Sequence, residues 1–591
     1  MARFGMAATL AAGVFGGAID RTHAQEFMPS KVEVPFDRYY DYKELESWYQ
    51  RIAAAYPDLV EMREIGKSGQ GRSLWVAIVT APKNRGSADI PAMWIDGNVH
   101  GNEIQAGEAV LYSLHYLTRA YGKNERLTRL MDECAFYLLP SQNPDGRQNW
   151  FDSVNTSSSS RSNLRPVDDD DDGTADEDGP EDLDGDGSIT QMWKQDPNGD
   201  FVRSPTDPRV FTRLKPGEKG PPENTWRWLG FEGIDSDGDG QINEDGPGGD
   251  DMNRNWPGDW QPNAVQYGAG EFPFSNPEPR AIGRFILEHP NIAGVQSYHN
   301  AGGMILRGPG ASYRESVYPN DDRQVYDEIA RIGEQLLPFY KSMVIYKDLY
   351  TVHGGFVNWT AESLGVYSFT NEMWSNAKWF QKDSTDSGSD EQSWLIRDRL
   401  QFGQYFTPYK EFDHPYYGKV LLGGLNKWSS RVTPTFMLEE ECHRNFAFTV
   451  LHAEQMPLLK FGRTEVSLVS DRVWSVTLEV RNDHLMPTRS GIARANKIGE
   501  PDLLTVSPGE GATATPVRVV AGGTVRDWFT PQFSPVRDEP DRLQVETIPG
   551  RGGRIFRFLI EGPEGLKVAV KYTSDKATDI GRTIELRPTA R

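Results

Sequence analysis

Residues 94–108 read WIDGNVHGNEIQAGE, and the fold depends on how this stretch divides. The apolar run over 91–95 reads as a buried strand, and Asp96-Gly97-Asn98 ends it. His100 and Glu103 occupy the turn, after which Ala106, Ala109, Val110, Leu114 and Leu117 recur at helical spacing. An imidazole and a carboxylate placed where a strand hands over to a helix can face one metal ion. Two histidines, one glutamate and an open fourth position make a known catalytic type of zinc site. Alone, the pair reads more readily as capping or solvation, so the rest of the chain has to decide.

Outward from this stretch, 39–56 reads as an amphipathic helix closed by Pro57, 76–80 as a strand, 105–121 as a helix and 135–139 as another strand. That last strand runs into the turn signal of Pro140-Ser141-Gln142-Asn143-Pro144-Asp145-Gly146. Alternating strands and helices predict an α/β sheet with helices on its faces, whose sites collect at strand ends. The pattern resumes with a helix over 278–289, its Pro279 in the tolerant first turn. A strand over 294–298 ends at His299, a helix follows over 326–340, a strand over 366–369 leads to Glu372, and 444–459 makes the last helix. Past Phe461, short alternating runs between Gly/Pro turns predict a β-sandwich of about 130 residues without site chemistry.

At 591 residues the chain exceeds one ordinary core. Residues 1–24, with Arg3, a Gly/Ala-rich apolar run and Thr22-His23-Ala24, are similar to a secretory signal peptide and predict export, to the periplasm or beyond the cell. No spanning helix is read after them. Cys134 and Cys442 allow at most one bridge, and Cys134 reads as a buried thiol.

The net charge of −22 is local. Residues 168–186 hold twelve carboxylates and 232–251 hold eight, with no Lys or Arg in either. A nucleic-acid partner, which needs a basic face, is excluded. Within the loop-rich region 149–250, Asp168, Asp170, Asp172 and Gly173 spell DxDxDG, with Asp176 after them. Asp235, Asp237, Asp239 and Gly240 repeat it, followed by Asn243; Asp182, Asp184, Asp186 and Gly187 make a shorter third copy. Alternate oxygens before a glycine predict calcium loops, although no twelfth-position Glu makes them EF-hands. Solvated, mutually repelling acidic loops are the alternative.

Taken together, His100-Gly101-Asn102-Glu103, Asn143-Pro144-Asp145-Gly146, Asp251-Met252-Asn253-Arg254-Asn255-Trp256, Ser297-Tyr298-His299, Tyr350 before His353-Gly354-Gly355, and Phe369-Thr370-Asn371-Glu372 resemble the zinc carboxypeptidase family in content and order. The resemblance covers roughly residues 39–459. It implies an α/β fold with a mixed central sheet flanked by helices, a catalytic domain over 25–461 with acidic inserts at about 150–250, and the sandwich over 462–591. It makes His100, Glu103 and His299 the ligands of one Zn2+, which lowers the pKa of bound water and polarises a carbonyl. Asp251 matches the carboxylate that orients the first histidine. Glu372 matches the acid–base carboxylate, Tyr350 the tyrosine that covers substrate, and Asn253 with Arg254 the grip on a terminal carboxylate.

Three departures bear on the substrate. Asn102 stands where pancreatic members carry an arginine. The carbonyl-polarising arginine falls at Lys194, after Trp193, with Arg147 as second candidate. Calcium in the neighbouring inserts would then fix Lys194. Val357, at the bottom of the pocket for the departing residue, leans towards apolar C-terminal residues. The expected partners are peptides or proteins with a free C-terminus. The rival readings are an amidase acting on γ-D-glutamyl cell-wall peptides, and a non-catalytic calcium-dependent binding protein.

Overall fold

The computed structural model describes residues 28–589 except 85, 87–89, 157–160, 169–171, 247, 376, 382–389, 430, 510–516 and 530–531. The signal-peptide stretch 1–24 and Asp170 lie outside the described residues. Apolar runs become strands covered on both faces. β1 (Val60–Lys67), β2 (Ser73–Val79), β3 (Ala92–Gly97), β4 (Ala135–Leu139), β5 (Ile292–Asn300), β6 (Met304–Arg307), β7 (Lys341–Val344) and β8 (Tyr367–Met373) form one sheet, ordered β1-β2-β4-β3-β5-β8-β6-β7. The neighbours β4, β3, β5 and β8 run parallel, while β1–β2, β2–β4 and β8–β6 are antiparallel, so the sheet is mixed. Every residue of β3, β4 and β5 is buried, as parallel strands between two helical layers require.

Among the helices that cover it are α1 (Tyr42–Ala55), α2 (Gln105–Ala120), α3 (Pro277–Leu287), α4 (Asn320–Leu336), α5 (Phe356–Leu364) and α6 (Thr435–Ala453). α1 starts in a capping box, Asp41 accepting from the Glu44 amide while Glu44 accepts from the Asp41 amide. Its Leu45, Tyr49 and Ile52 join α2, α4 and α6 in one core, and α3 and α5 pack on the opposite face in a second. The first core contains a buried ion pair. Arg147 Nη2 donates to Glu108 Oε1 at 2.6 Å, with both side chains fully inaccessible.

The register sets the site. Along parallel β5 and β8, His299 lies opposite Glu372, and along β3 and β5, Gly97 lies opposite Tyr298. Asp96 ties β3 to β5 by accepting from Ser297 Oγ at 2.7 Å, and burial pushes its carboxyl up to about 6. The β3–α2 turn and the ends of β5 and β8 therefore meet on one edge of the sheet.

The region read as loops over 149–250 is partly sheet. Gln191–Gln195, Phe201–Arg203, Phe211–Arg213 and Thr225–Phe231 join Phe406–His414 and Gly418–Leu425 in six strands. The last two lie about two hundred residues downstream, so their pairing leaves no local signal. α6 begins at Thr435 rather than at 444, because Glu441, inside its first half, is buried against Lys378 and Tyr340 and masks the apolar period. From Leu459 onward the chain builds a five-stranded and a four-stranded antiparallel sheet around one shared core. Both cysteines are buried and free. Among the described residues no helix is long and apolar enough to cross a membrane.

Two measurements follow. Arg147→Met strands the Glu108 carboxylate in the core and lowers unfolding free energy by about 3–5 kcal/mol in urea titrations. His452 is fully buried, and burial lowers its imidazole pKa from 6.5 to about 3. The unfolded chain therefore binds the extra proton between those values. Its contribution is complete above pH 6.5 and is lost as pH falls, at about 1.4 kcal/mol per unit relative to His452→Gln.

Candidate active site

The β3–α2 turn is shaped by Asn98, which sits at φ +56 and donates from Nδ2 to the His100 carbonyl at 2.7 Å. Gly101 has to be glycine: a Cβ there would lie 2.8 Å from the Gly146 backbone, so two motifs far apart in sequence press together. This presents His100 and Glu103 beside His299 from the end of β5. Glu103 straddles the imidazoles, Oε1 at 2.9 Å from His100 Nδ1 and Oε2 at 2.9 Å from His299 Nδ1. Burial alone would raise the Glu103 carboxyl, but the two imidazoles hold it well below the usual carboxylate range.

These residues fit a metal ion. Their candidate ligand atoms lie within 4.8 Å of one another, and all three side chains are buried. Two nitrogens and one oxygen are a zinc donor set, and the cluster borders an open cavity of about 460 Å3. Asp251 Oδ1 lies 3.1 Å and Arg161 Nη2 2.7 Å from His100 Nε2, so both hold the ring while Nδ1 faces Glu103 and the cluster.

Glu372, at the end of β8, faces the same cavity, and burial followed by the Glu103 charge pushes its carboxyl up to about 7. Asn253 and Arg254 line the wall from a 3-10 turn capped by Asp251. Asn253 Oδ1 accepts the Phe356 amide at 2.9 Å, which turns its Nδ2 donors to the cavity, and Arg254 Nη1 donates to the Asn253 carbonyl. Val357, in the first turn of α5, lines the cavity with Leu306, Ile345 and Val352. Tyr350 stands on the rim, 56% exposed, after a single π-helical turn over Ile345–Leu349.

Neither expected carbonyl-polarising cation reaches the cavity. Lys194 lies in Gln191–Gln195, paired opposite Arg227 in the second sheet. Arg147 is spent inside the core, donating to Tyr40 O, Ile104 O, Asn98 Oδ1 and Glu108. Asn102 is buried in the turn and does not line the cavity. The cation beside the cluster is Arg161: its Nε donates to Asp251 Oδ2 at 3.0 Å, and its Nη1 lies 3.5 Å from Glu103 Oε1. Its place between the Asn143–Gly146 turn and Asp251 was a signal in chain order. A third guanidinium, Arg431, lines the cavity 3.7 Å from Glu103 Oε1, from a backbone at φ +60 whose carbonyl accepts from Asn300. Nothing in the local sequence around Arg431 marks it.

The acidic loops lie apart from the cavity lining. Asp168, Asp172 and Asp176 face the loop of Asp235, Asp237, Asp239 and Asn243, while Asp182, Asp184 and Asp186 stand beside Lys410, whose Nζ is 3.1 Å from Asp184 and 3.2 Å from Asp186.

Two imidazoles and one carboxylate form the kind of donor set that mononuclear zinc hydrolases use, and the Glu372 carboxyl lines the same cavity. The zinc carboxypeptidase profile matches residues 45–202 and 225–394, more than half of the sequence, and the chain belongs to that family. A profile described as a domain of unknown function matches 458–585. Carboxypeptidase D of Drosophila melanogaster is 31% identical over 140 residues, 24% of this chain and 10% of that protein. Carboxypeptidase M of Mus musculus is 33% identical over 109 residues, 18% of this chain and 25% of that protein. The matched stretches thus span a tenth to a quarter of these relatives. The crystal structure of carboxypeptidase A from Helicoverpa armigera aligns with a TM-score of 0.39 and 20% identity, over 63% of this chain and 74% of that one.

Removing a ligand and removing its orienter separate in metal content. His299→Ala leaves the protein without stoichiometric zinc after dialysis, whereas Asp251→Asn retains zinc with affinity lowered about 10–100-fold, read by competition with a chromogenic chelator.

Proposed function

We propose that this protein is a metallocarboxypeptidase that removes single, preferentially apolar residues from the C-terminus of peptides. The observation that carries the reading is that Asn253 and Arg254, an amide and a guanidinium suited to a carboxylate, line the same cavity as the His100–Glu103–His299 cluster and the apolar Val357, Leu306 and Ile345. A substrate whose C-terminal side chain rests against Val357, Leu306 and Ile345 can give its carboxylate to that pair. Its last peptide bond then lies towards Glu372 and Arg161. A free C-terminus is what such a grip selects.

Zinc held by His100, Glu103 and His299 supplies Lewis acidity to the scissile carbonyl and to the attacking water. Glu372 accepts the proton that water loses as its oxygen bonds to the carbonyl carbon. The same carboxyl returns that proton to the amide nitrogen as the C–N bond breaks, releasing an amino acid and a shortened peptide. Its raised pKa suits both halves of this exchange near neutrality. Arg161 donates to the carbonyl oxygen as negative charge gathers there, in the role expected of Lys194. Tyr350 closes over the bound residue from the rim. We propose no part for calcium in the chemical step.

A second reading is favoured by one feature. Arg431 is a guanidinium beyond the two that an ordinary C-terminal residue occupies, and it suits a carboxylate on the acyl side of the bond. A γ-linked D-glutamyl cell-wall peptide carries its free α-carboxylate there. Export, supported by the signal-like N-terminus, is consistent with either substrate.

Mass spectrometry of a mixed peptide library, spiked with a γ-D-glutamyl peptide, tests both readings. Loss of single apolar C-terminal residues by the zinc-loaded protein, absent with Glu372→Gln, is the expected outcome. Turnover of the γ-D-glutamyl peptide alone would select the second reading, and internal cleavage would contradict both. In the same assay Arg161→Ala lowers kcat by about 10²–10³-fold, and Lys194→Ala leaves it unchanged.

A further inference from the structure

Two of the acidic loops are near copies that meet face to face. Gly173 and Gly240 take φ +101 and +92, and three residues later Asp176 and Asn243 take +58 and +63. The Gly173 amide donates to Asp168 at 2.9 Å and the Gly240 amide to Asp235 at 3.1 Å. The loops join at one antiparallel bridge, where the Asp178 amide donates to the Asp245 carbonyl. This local geometry accounts for two similar turns, and acidic turns need no ion.

What it leaves unaccounted for is Asp178. Its side chain is 0% exposed, and neither carboxylate oxygen has a hydrogen-bond partner. It points into a cluster in which its oxygen, one of Asp237 and one of Glu244 lie within 4.8 Å of each other. Glu244 also has both carboxylate oxygens buried without a hydrogen bond. Neither acidic stretch contains a Lys or Arg. A buried carboxylate without donor or counter-charge is among the costliest arrangements a protein can hold. The third copy shows how the cost is otherwise met: Lys410 stands over Asp184 and Asp186, and Glu232 accepts the amides of Thr190 and Leu183.

We propose that the two facing loops form a paired site for calcium-class cations, completed across the loops rather than within either one. One cation is held by Asp178, Asp237 and Glu244 and the other by Asp172, Glu177 and Asp237, so Asp237 bridges the two. The donors are all carboxylate oxygens, which selects a hard cation and contrasts with the histidines that select zinc in the active site. Crossed ligation also explains why neither loop carries a twelfth-position Glu: Glu177 and Glu244 supply its charge to clusters that contain Asp237. The insert that contains these loops is pinched shut where the Asn163 amide donates to the Asp250 carbonyl, the Gly249 amide to the Asn163 carbonyl and the Asp250 amide to Asn163 Oδ1, two residues from Arg161 and one from Asp251. Cations in the loops would hold that insert closed.

The site is independent of the reaction proposed above, and its test does not use activity. Full-length, zinc-loaded protein is freed of calcium by dialysis with zinc retained. Equilibrium dialysis with radioactive calcium then reads stoichiometry, and thermal melting reads stability. About two calcium ions per chain are expected at saturation, with the melting midpoint raised by about 5 °C at a hundredfold excess over Kd. Asp237→Asn is expected to lose both ions, and Asp178→Asn one, while melting no lower than calcium-free wild type because it removes unbalanced charge. Asp182→Asn, in the copy served by Lys410, retains both. Absence of bound calcium at 1 mM with no shift in midpoint, or full binding by Asp237→Asn, would overturn the proposal.

Discussion

The pairing of one carboxylate with two imidazoles, Glu103 between His100 and His299, is the contact on which the rest of the structure depends. Three charged or chargeable groups lie buried there at 2.9 Å separations, and nothing short of a rigid frame would keep them so. The frame is the parallel register of β3, β5 and β8, which brings a turn, a strand end and Glu372 to one edge. Strands buried on both faces cannot slip by one residue without turning every side chain to the other layer. The geometry of the cluster is therefore a consequence of how the core packs.

Around that cluster, charges are arranged by what each can reach. Arg161 and Asp251 hold one another and His100 from the side of the acidic insert, while Arg254 is kept facing inward by its own turn. Glu372 is different. Among the described residues no arginine or lysine forms an ion pair with it, and burial beside Glu103 pushes its carboxyl up to about 7. A carboxylate placed to take and return one proton needs that looseness, whereas Asp251, surrounded by Arg254, His100 and Arg161, stays ionised well below the usual range despite burial. Two buried carboxylates near one cluster thus differ in charge because their neighbours differ.

Much of this was legible beforehand, for definite reasons. Apolar runs such as 91–95 and 135–139 announce strands of a buried sheet, and the motifs that end them name the residues that meet. The zinc carboxypeptidase family and its α/β fold with a mixed sheet followed by further all-β sheets are both established here. Arg161 was missed because it stands in a serine-rich stretch, while a tryptophan before Lys194 drew the alignment into what proves to be a separate sheet. Arg431 could not have been read at all, since its position depends on a backbone kink and on Asn300, 131 residues away. The six-stranded sheet was hidden for a related reason: Gly418–Leu425 pairs with Gln191–Gln195, far away in the sequence. The start of α6 was obscured by a buried glutamate whose partner, Lys378, lies 63 residues earlier.

The buried set of His100, Glu103 and His299 fits a single zinc ion. Anomalous diffraction recorded on both sides of the zinc absorption edge, from crystals of the zinc-loaded protein, tests it most directly. The account predicts one zinc-specific peak within about 2.0–2.2 Å of both imidazole nitrogens and a Glu103 oxygen. A peak among the acidic loops instead, or none beside His299, would contradict it.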